Sequence, residues 1–348
     1  MNGELALCYL AALSFSIFGV LLALRIAQRL SVVDLPSHRS SHSAPIPRGG
    51  GLGVQIGVGA SALVFFLLGN RLPGWPFWSG TGLMLVTGLL DDVRGGLPAT
   101  ARLLFQSVAA ALVIAFSGRF TTLPLPSPLD ASLGWSGAVV SFVWVIAVIN
   151  FFNFMDGIDG IAGSQAVVTG ITLAVILPGE YRWLGLSIAG SSLGFLVFNW
   201  QPAKIFMGDV GSYSLGFMLA ASPFLGGSES SSPVAMLVGL SLWMFLADAS
   251  FTLLKRLFSK ERVWEAHRTH LYQRLVISGL SHRDVTLLVG AGAVIISASA
   301  AFAYRIGKAW MWWLAFAIAL VLSLAELSLA WYRERLPSRL EGGRTVEQ

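Results

Sequence analysis

Apolar runs of membrane-crossing length recur from one end of this 348-residue chain to the other, and nothing constrains its fold more. A helix needs about 20 apolar residues to span the hydrocarbon core of a bilayer. Such runs fall at residues 5 to 24, 50 to 69, 75 to 90, 100 to 117, 135 to 152, 161 to 177, 183 to 199, 211 to 227, 233 to 254, 285 to 304 and 309 to 332. Hydrophobic residues make up 55% of the chain and charged residues 12%, too apolar a balance for a protein wetted over its whole surface. The expected fold class is an all-α, polytopic membrane bundle of about eleven transmembrane helices, one domain over residues 1–348. Its single cysteine, Cys8, excludes an intrachain disulfide. The leader MNGE carries no basic residue and no A-x-A site follows, so the first run reads as a retained helix.

Basic residues orient the bundle. With the N-terminus outside, eighteen of the 23 Lys and Arg fall on inward connections. The positive-inside rule selects that topology. The net charge of +5 then reflects this bias, and it suits an anionic leaflet or phosphorylated substrates rather than nucleic acid. Outward connections are plain turns, whereas the inward ones carry every polar cluster: DLPSHRSSHSAPIPRGGG, DDVRGGLP, NFFNFMDGIDG, NWQPAKIFMGDVGS and the stretch from Lys255 to Arg283. Five clusters on one face imply one shared site. The long inward loop 255–283 is expected to hold a short interfacial helix or hairpin, with Ser281 and Asp284 forming a capping box behind it, and 333–348 is an inward tail.

Polar side chains near a bilayer are costly and point to function. Asn150, Asn153, Asp156 and Asp159 recur every third residue, which on a helical turn places them near one face able to hold a metal, a phosphate or a sugar. This segment is no calcium loop, because Val167 stands where an EF-hand needs Glu. It also lacks the pattern of the CDP-alcohol phosphatidyltransferases. Asp91 and Asp92 close a helix whose C-terminal dipole opposes them; they read as Mg2+ ligands, proton acceptors or a solvated helix end. Asp209, between glycines in FMGDVGS, reads either as a carboxylate for a metal-bridged phosphate or, with Ser212, as a helix N-cap. Gly49, Gly53 and Gly57 are spaced by four; Gly53 and Gly57 suit close helix packing better than a nucleotide loop, while Arg39, His42 and Arg48 offer cations to anions or merely fix topology. His267, Arg268 and His270, with Tyr272 and Arg274 behind them, fit charge-assisted contacts to a diphosphate better than zinc. Asp248 and Glu326 lie within apolar runs; Asp248 is either functional or a structural ion-pair member.

Taken in order, SSHSAPIPRGGG, GLLDDVRG, NFFNFMDGIDGIAG, FMGDVGS and HRTHLYQRL resemble the polyprenyl-phosphate N-acetylhexosamine-1-phosphate transferases over nearly the whole chain, most of all their O-antigen-initiating members. The resemblance implies that undecaprenyl phosphate attacks the β-phosphorus of a UDP-N-acetylhexosamine (GlcNAc, QuiNAc or FucNAc), releasing UMP, with Mg2+, or Mn2+ in its place, as cofactor. The lipid I pattern, with a lysine-bearing first loop and a triple histidine in the last, is absent, which disfavours a muramoyl-pentapeptide donor. By the same resemblance Asp209 is the main Mg2+ ligand and Asp91 the base toward the lipid phosphate. Asp92 and Asp156 support metal or nucleotide contacts, a covalent route through Asp156 staying open. Asn150, Asn153 and Asp159 shape the nucleotide pocket. Arg48, Arg102, His267, Arg268 and His270 act on the phosphates and the departing UMP. The implied partners are the lipid bilayer, undecaprenyl phosphate and a second copy in a homodimer; the implied place is the bacterial inner membrane with the site on its cytoplasmic face. The competing class is a secondary transporter of an anionic solute, whose site would lie nearer the midplane.

Overall fold

The computed structural model describes residues 2–30, 33–34, 45–177, 179–226, 228–261 and 268–335. It is a helical bundle, in chain order α1 (Asn2–Leu30), α2 (Gly51–Leu67), α3 (Trp75–Arg94), α4 (Ala99–Phe116), α5 (Ser136–Phe154), α6 (Ile161–Ile176), α7 (Glu180–Asn199), α8 (Asp209–Ala221), α9 (Ser228–Ser241), α10 (Trp243–Phe258), α11 (Leu271–Ile277), α12 (His282–Ile306) and α13 (Ala309–Arg335). One 3-10 turn, Ser222–Phe224, extends α8, and a two-residue antiparallel ladder pairs Val33–Asp34 with Ile46–Pro47. Each apolar run is helical. Among the described residues five helices, α1, α4, α5, α12 and α13, are long and apolar enough to cross a membrane, and α2 and α6 are shorter apolar helices.

The ninth run departs from the expected straight span. It is broken into α9 and α10, which meet at 78°. Breaking a helix frees backbone groups that lipid cannot satisfy. Here buried Gln165 on α6 donates its side-chain amide to the Ser241 carbonyl at 2.7 Å, supplying the missing partner at the bend. Within residues 255–280 the structure holds the seven-residue α11. Ser281 caps α12 as the sequence suggested, its Oγ accepting from the Asp284 N–H at 3.1 Å. Only the first residues of the tail are described, as the end of α13.

Small residues set how closely the helices approach. Gly53 and Gly57 of α2 face α1: a Cβ on Gly53 would strike Val20, and one on Gly57 would lie 2.5 Å from the Ala12 carbonyl and 2.6 Å from Ser191 Oγ on α7. Gly49 does not share this role. It sits before the helix with φ +103° and nothing within reach of a Cβ. Backbone contact of this kind replaces the hydrophobic driving force that helices lack in lipid.

The antiparallel course brings the polar connectors to one end of the bundle. Asp92 at the end of α3 meets the start of α8, Asn153 near the end of α5 meets Asp209, and Asp159 meets His282 at the start of α12. At the other end, the 118–135 segment is held by backbone groups, with Ser231 and Ser232 Oγ donating to the Arg119 and Thr122 carbonyls and Trp313 Nε1 to the Ser127 carbonyl.

Gly53→Val should lower the thermal midpoint of the solubilised protein, by about 1–3 kcal/mol of overpacking. Gly59→Val on the same helix, where a Cβ meets nothing within 4 Å, should leave the midpoint unchanged in the same melting experiment.

Candidate active site

The site is built on the start of α8. The first N–H groups of a helix have no partner within it and carry the positive end of its dipole. Neither Asp209 nor Ser212 caps its own helix; Gly208, with φ 74°, holds the N-cap position without a side chain. The carboxylate comes from α3 instead. Asp92 Oδ1 accepts from the Asp209 N–H at 3.0 Å and Oδ2 from the Val210 N–H at 3.1 Å. Gly88, one turn earlier on α3, makes this reach feasible, because any Cβ there would collide with the Asp209 backbone. Gly208 is required too, since a Cβ on it would lie 2.5 Å from an Asp92 oxygen. On the opposite flank Gly51 of α2 abuts Gly211.

With Asp92 holding the backbone, the Asp209 side chain is left for other partners. Its Oδ1 accepts from Asn153 Nδ2 at 2.7 Å, and the same amide reaches Ser212 Oγ at 2.8 Å. Asn153 thereby locks α5 to α8 at the point where both end or begin.

Asp91 is almost fully buried. One of its oxygens accepts from the Leu97 N–H, closing the glycine turn after α3. The other accepts from Tyr213 Oη at 3.0 Å and lies 3.9 Å from Arg102 Nη1, which itself donates to Tyr213 Oη at 3.3 Å. Arg48 lies 3.7 Å from Asp92 Oδ1, its side chain 35% exposed. Asp156 lies just beyond α5 in the loop, beside Asp209. Burial, and then the Asp209 carboxylate, push its carboxyl well above the usual carboxylate range. Tyr213 went unnoticed in the sequence. It lies one turn beyond Asp209 on α8, so the helical period alone would have placed it beside the acids.

The segment 150–160 does not present four groups on one face. Helix α5 stops at Phe154, and Gly160, with φ 79°, precedes α6, so Asp156 and Asp159 leave the helical register. Asn150 is engaged in a reciprocal amide pair, its Nδ2 donating to Gln106 Oε1 at 2.7 Å and its Oδ1 accepting from Gln106 Nε2 at 3.3 Å. Asp159 pairs with His282 Nδ1 at 3.2 Å and accepts from the Ala203 N–H at 3.1 Å. Among the described residues neither bonds to the acids around Asp209. His270 lies at the start of α11, with its ring 6.3 Å from that of Phe154. Arg268 lies two residues before it, half-buried. His267, Arg39 and His42 lie outside the described residues.

The cluster therefore sets four carboxyl groups, Asp91, Asp92, Asp156 and Asp209, against the guanidinium groups of Arg48 and Arg102. Among the described residues no three His, Cys, Asp or Glu side chains converge as a ready-made metal cage. Mg2+ commonly binds through one or two carboxylates together with substrate phosphates, and the donor set of Asp209 and Asp156 fits that requirement.

Asp92→Ala strands two buried N–H groups, so it should destabilise the protein by about 1–3 kcal/mol. Asp209→Asn should not, and thermal melting of the two variants checks the difference. An acid whose pKa is raised by folding loses stability as pH climbs from its unfolded value, about 3.9, toward its folded one. Asp156→Asn should therefore raise the cation-free melting midpoint, with a gain that grows over that window; a gain largest at acid pH would contradict the assignment.

Residues 75–226, which include α3 to α8, match glycosyl transferase family 4. The chain is 30% identical over 282 residues to the probable undecaprenyl-phosphate N-acetylglucosaminyl 1-phosphate transferase of Bacillus subtilis, covering 79% of this chain and 78% of that protein. It is 30% identical over 339 residues to the decaprenyl-phosphate N-acetylglucosaminephosphotransferase of Mycobacterium leprae, covering 86% and 83%. To the undecaprenyl-phosphate alpha-N-acetylglucosaminyl 1-phosphate transferase of Yersinia pestis it is 25% identical over 317 residues, covering 85% and 82%. With its acids gathered at the start of α8 inside the matched region, this chain belongs to glycosyl transferase family 4.

Proposed function

We propose that the protein transfers N-acetylhexosamine 1-phosphate from a UDP-N-acetylhexosamine to undecaprenyl phosphate, giving undecaprenyl-diphosphate-N-acetylhexosamine and UMP. The observation that carries this reading is the carboxylate cluster at the start of α8, where four acids face two arginines. A diphosphate would be repelled there unless a divalent cation intervened, because like charges a few ångström apart in a partly buried site repel strongly. The names of the relatives point to the same reaction and favour GlcNAc as the sugar. In this reading the chain crosses the bacterial inner membrane eleven times with its N-terminus outside, the site faces the cytoplasm, and the product starts O-antigen or another envelope polysaccharide.

An oxygen of the lipid phosphate forms a bond to the β-phosphorus of the donor, and the bond from that phosphorus to the bridging oxygen breaks, the electrons leaving with UMP. Asp209 would hold Mg2+ with Asp156 beside it, and the ion when bound would neutralise charge on the donor diphosphate. Asn153 fixes the Asp209 rotamer through its 2.7 Å bond. Arg48 and Arg102 supply fixed positive charge to the phosphates. Asp91 acts through its neighbours: both its oxygens are engaged, so it orients Tyr213 and Arg102. A base is hardly needed, since a phosphate monoester has a second pKa of about 6 and is largely dianionic at neutral pH. His267, Arg268 and His270 receive the charge that develops on UMP.

The test is a transfer assay in membranes with undecaprenyl phosphate and each UDP-sugar, with and without Mg2+. Lipid-linked sugar and UMP should form only with the cation. Asp209→Asn should cut transfer by about 10³-fold or more while melting no lower than the wild type; full activity in this variant would overturn the assignment.

A further inference from the structure

Asp248 is a buried acid that the reaction above does not use. It lies on α10, 1% exposed, and both its oxygens are taken. Oδ1 accepts from the Leu271 N–H at 2.9 Å and from Thr252 Oγ1 at 3.1 Å, and it lies 3.2 Å from His270 Nδ1. Oδ2 accepts from the Tyr272 N–H at 3.1 Å. One carboxylate thus holds the first two N–H groups of α11 and the imidazole just ahead of them. The His270 side chain also accepts from the Gln273 backbone, and the His270 N–H donates to Gln273 Oε1 at 3.4 Å, so the residue is held by the helix as well as by the acid. A second link seats the segment. Tyr272 Oη donates to the Phe154 carbonyl at 3.0 Å, two residues before Asp156, and the absence of a side chain at Gly157 leaves room for it. The ring of His270 sits between, 5.8 Å from Tyr272 and 6.3 Å from Phe154.

We propose that Asp248 is the positioning residue of His270: from the broken helix it fixes the imidazole at the start of α11, and it seats α11 against the Asp156 loop. The role of His270 rests on the transferase reading, while the pairing does not. A carboxylate behind an imidazole fixes the orientation of the ring.

Two measurements on the full chain test this. In kinetics with undecaprenyl phosphate and UDP-GlcNAc, D248N and H270Q should each lower kcat by about 10²-fold, with KM changed by less than about threefold. The double variant should fall no further than the deeper single one. Losses that multiply, or an H270Q variant of wild-type activity, overturn the proposal. The second measurement needs no turnover. In 15N-histidine spectra there are only five histidines, and H270Q assigns the His270 signal. D248N should shift that signal and leave His282, paired with Asp159, unchanged. A His270 signal that D248N leaves unshifted overturns the proposal whatever the kinetics show. If the wild type transfers no sugar phosphate from any UDP-N-acetylhexosamine, the transferase reading falls and the spectra alone decide the pairing.

Discussion

The carboxylate of Asp92 on the first turn of α8 is the contact on which the rest of the site depends. Two N–H groups that lipid or protein would otherwise leave unsatisfied are bound by an acid from another helix. Three glycines serve this one contact: Gly88 lets α3 approach, Gly208 clears the carboxylate, and Gly51 lets α2 close the far flank. The result is that Asp209 begins a helix without having to cap it. A residue that caps its own helix folds its side chain back on the backbone; Asp209 is spared that and turns to Asn153 and Asp156.

The same device appears a second time. Asp248 holds the start of α11 as Asp92 holds the start of α8, each using both oxygens on two successive N–H groups. In both cases the acid lies on one segment and the polar residue beside the reaction on another. Fixing a short segment by its N-terminus costs one buried charge, which the helix dipole and the hydrogen bonds offset. It places side chains from distant parts of the chain at one end of the bundle.

Much of this was legible in the sequence, and the failures have physical causes. Runs of apolar residues located the helices because a bilayer forces every backbone group to be satisfied within its own segment. The break at Leu242 was invisible, since the partner that permits it, Gln165, lies 76 residues away from Ser241. Periodicity placed Asn150, Asn153, Asp156 and Asp159 together by assuming that the helix continues. The glycines of the same segment end it, leaving Asn150 on Gln106 and Asp159 on His282. The choice between cap and ligand at Asp209 was open from local residues alone, because the capping acid is 117 residues distant in sequence. Tyr213, in contrast, follows the FMGDVGS motif directly and was there to be read.

The central claim, that an acid from α3 holds the start of α8 and so frees Asp209 for the reaction, is tested most directly by hydrogen exchange across residues 207–213. The wild type should exchange the Asp209 and Val210 amides slowly, and Asp92→Ala should speed them by about tenfold or more while peptides from α1 and α13 keep their rates. Equal exchange in the two proteins would contradict it.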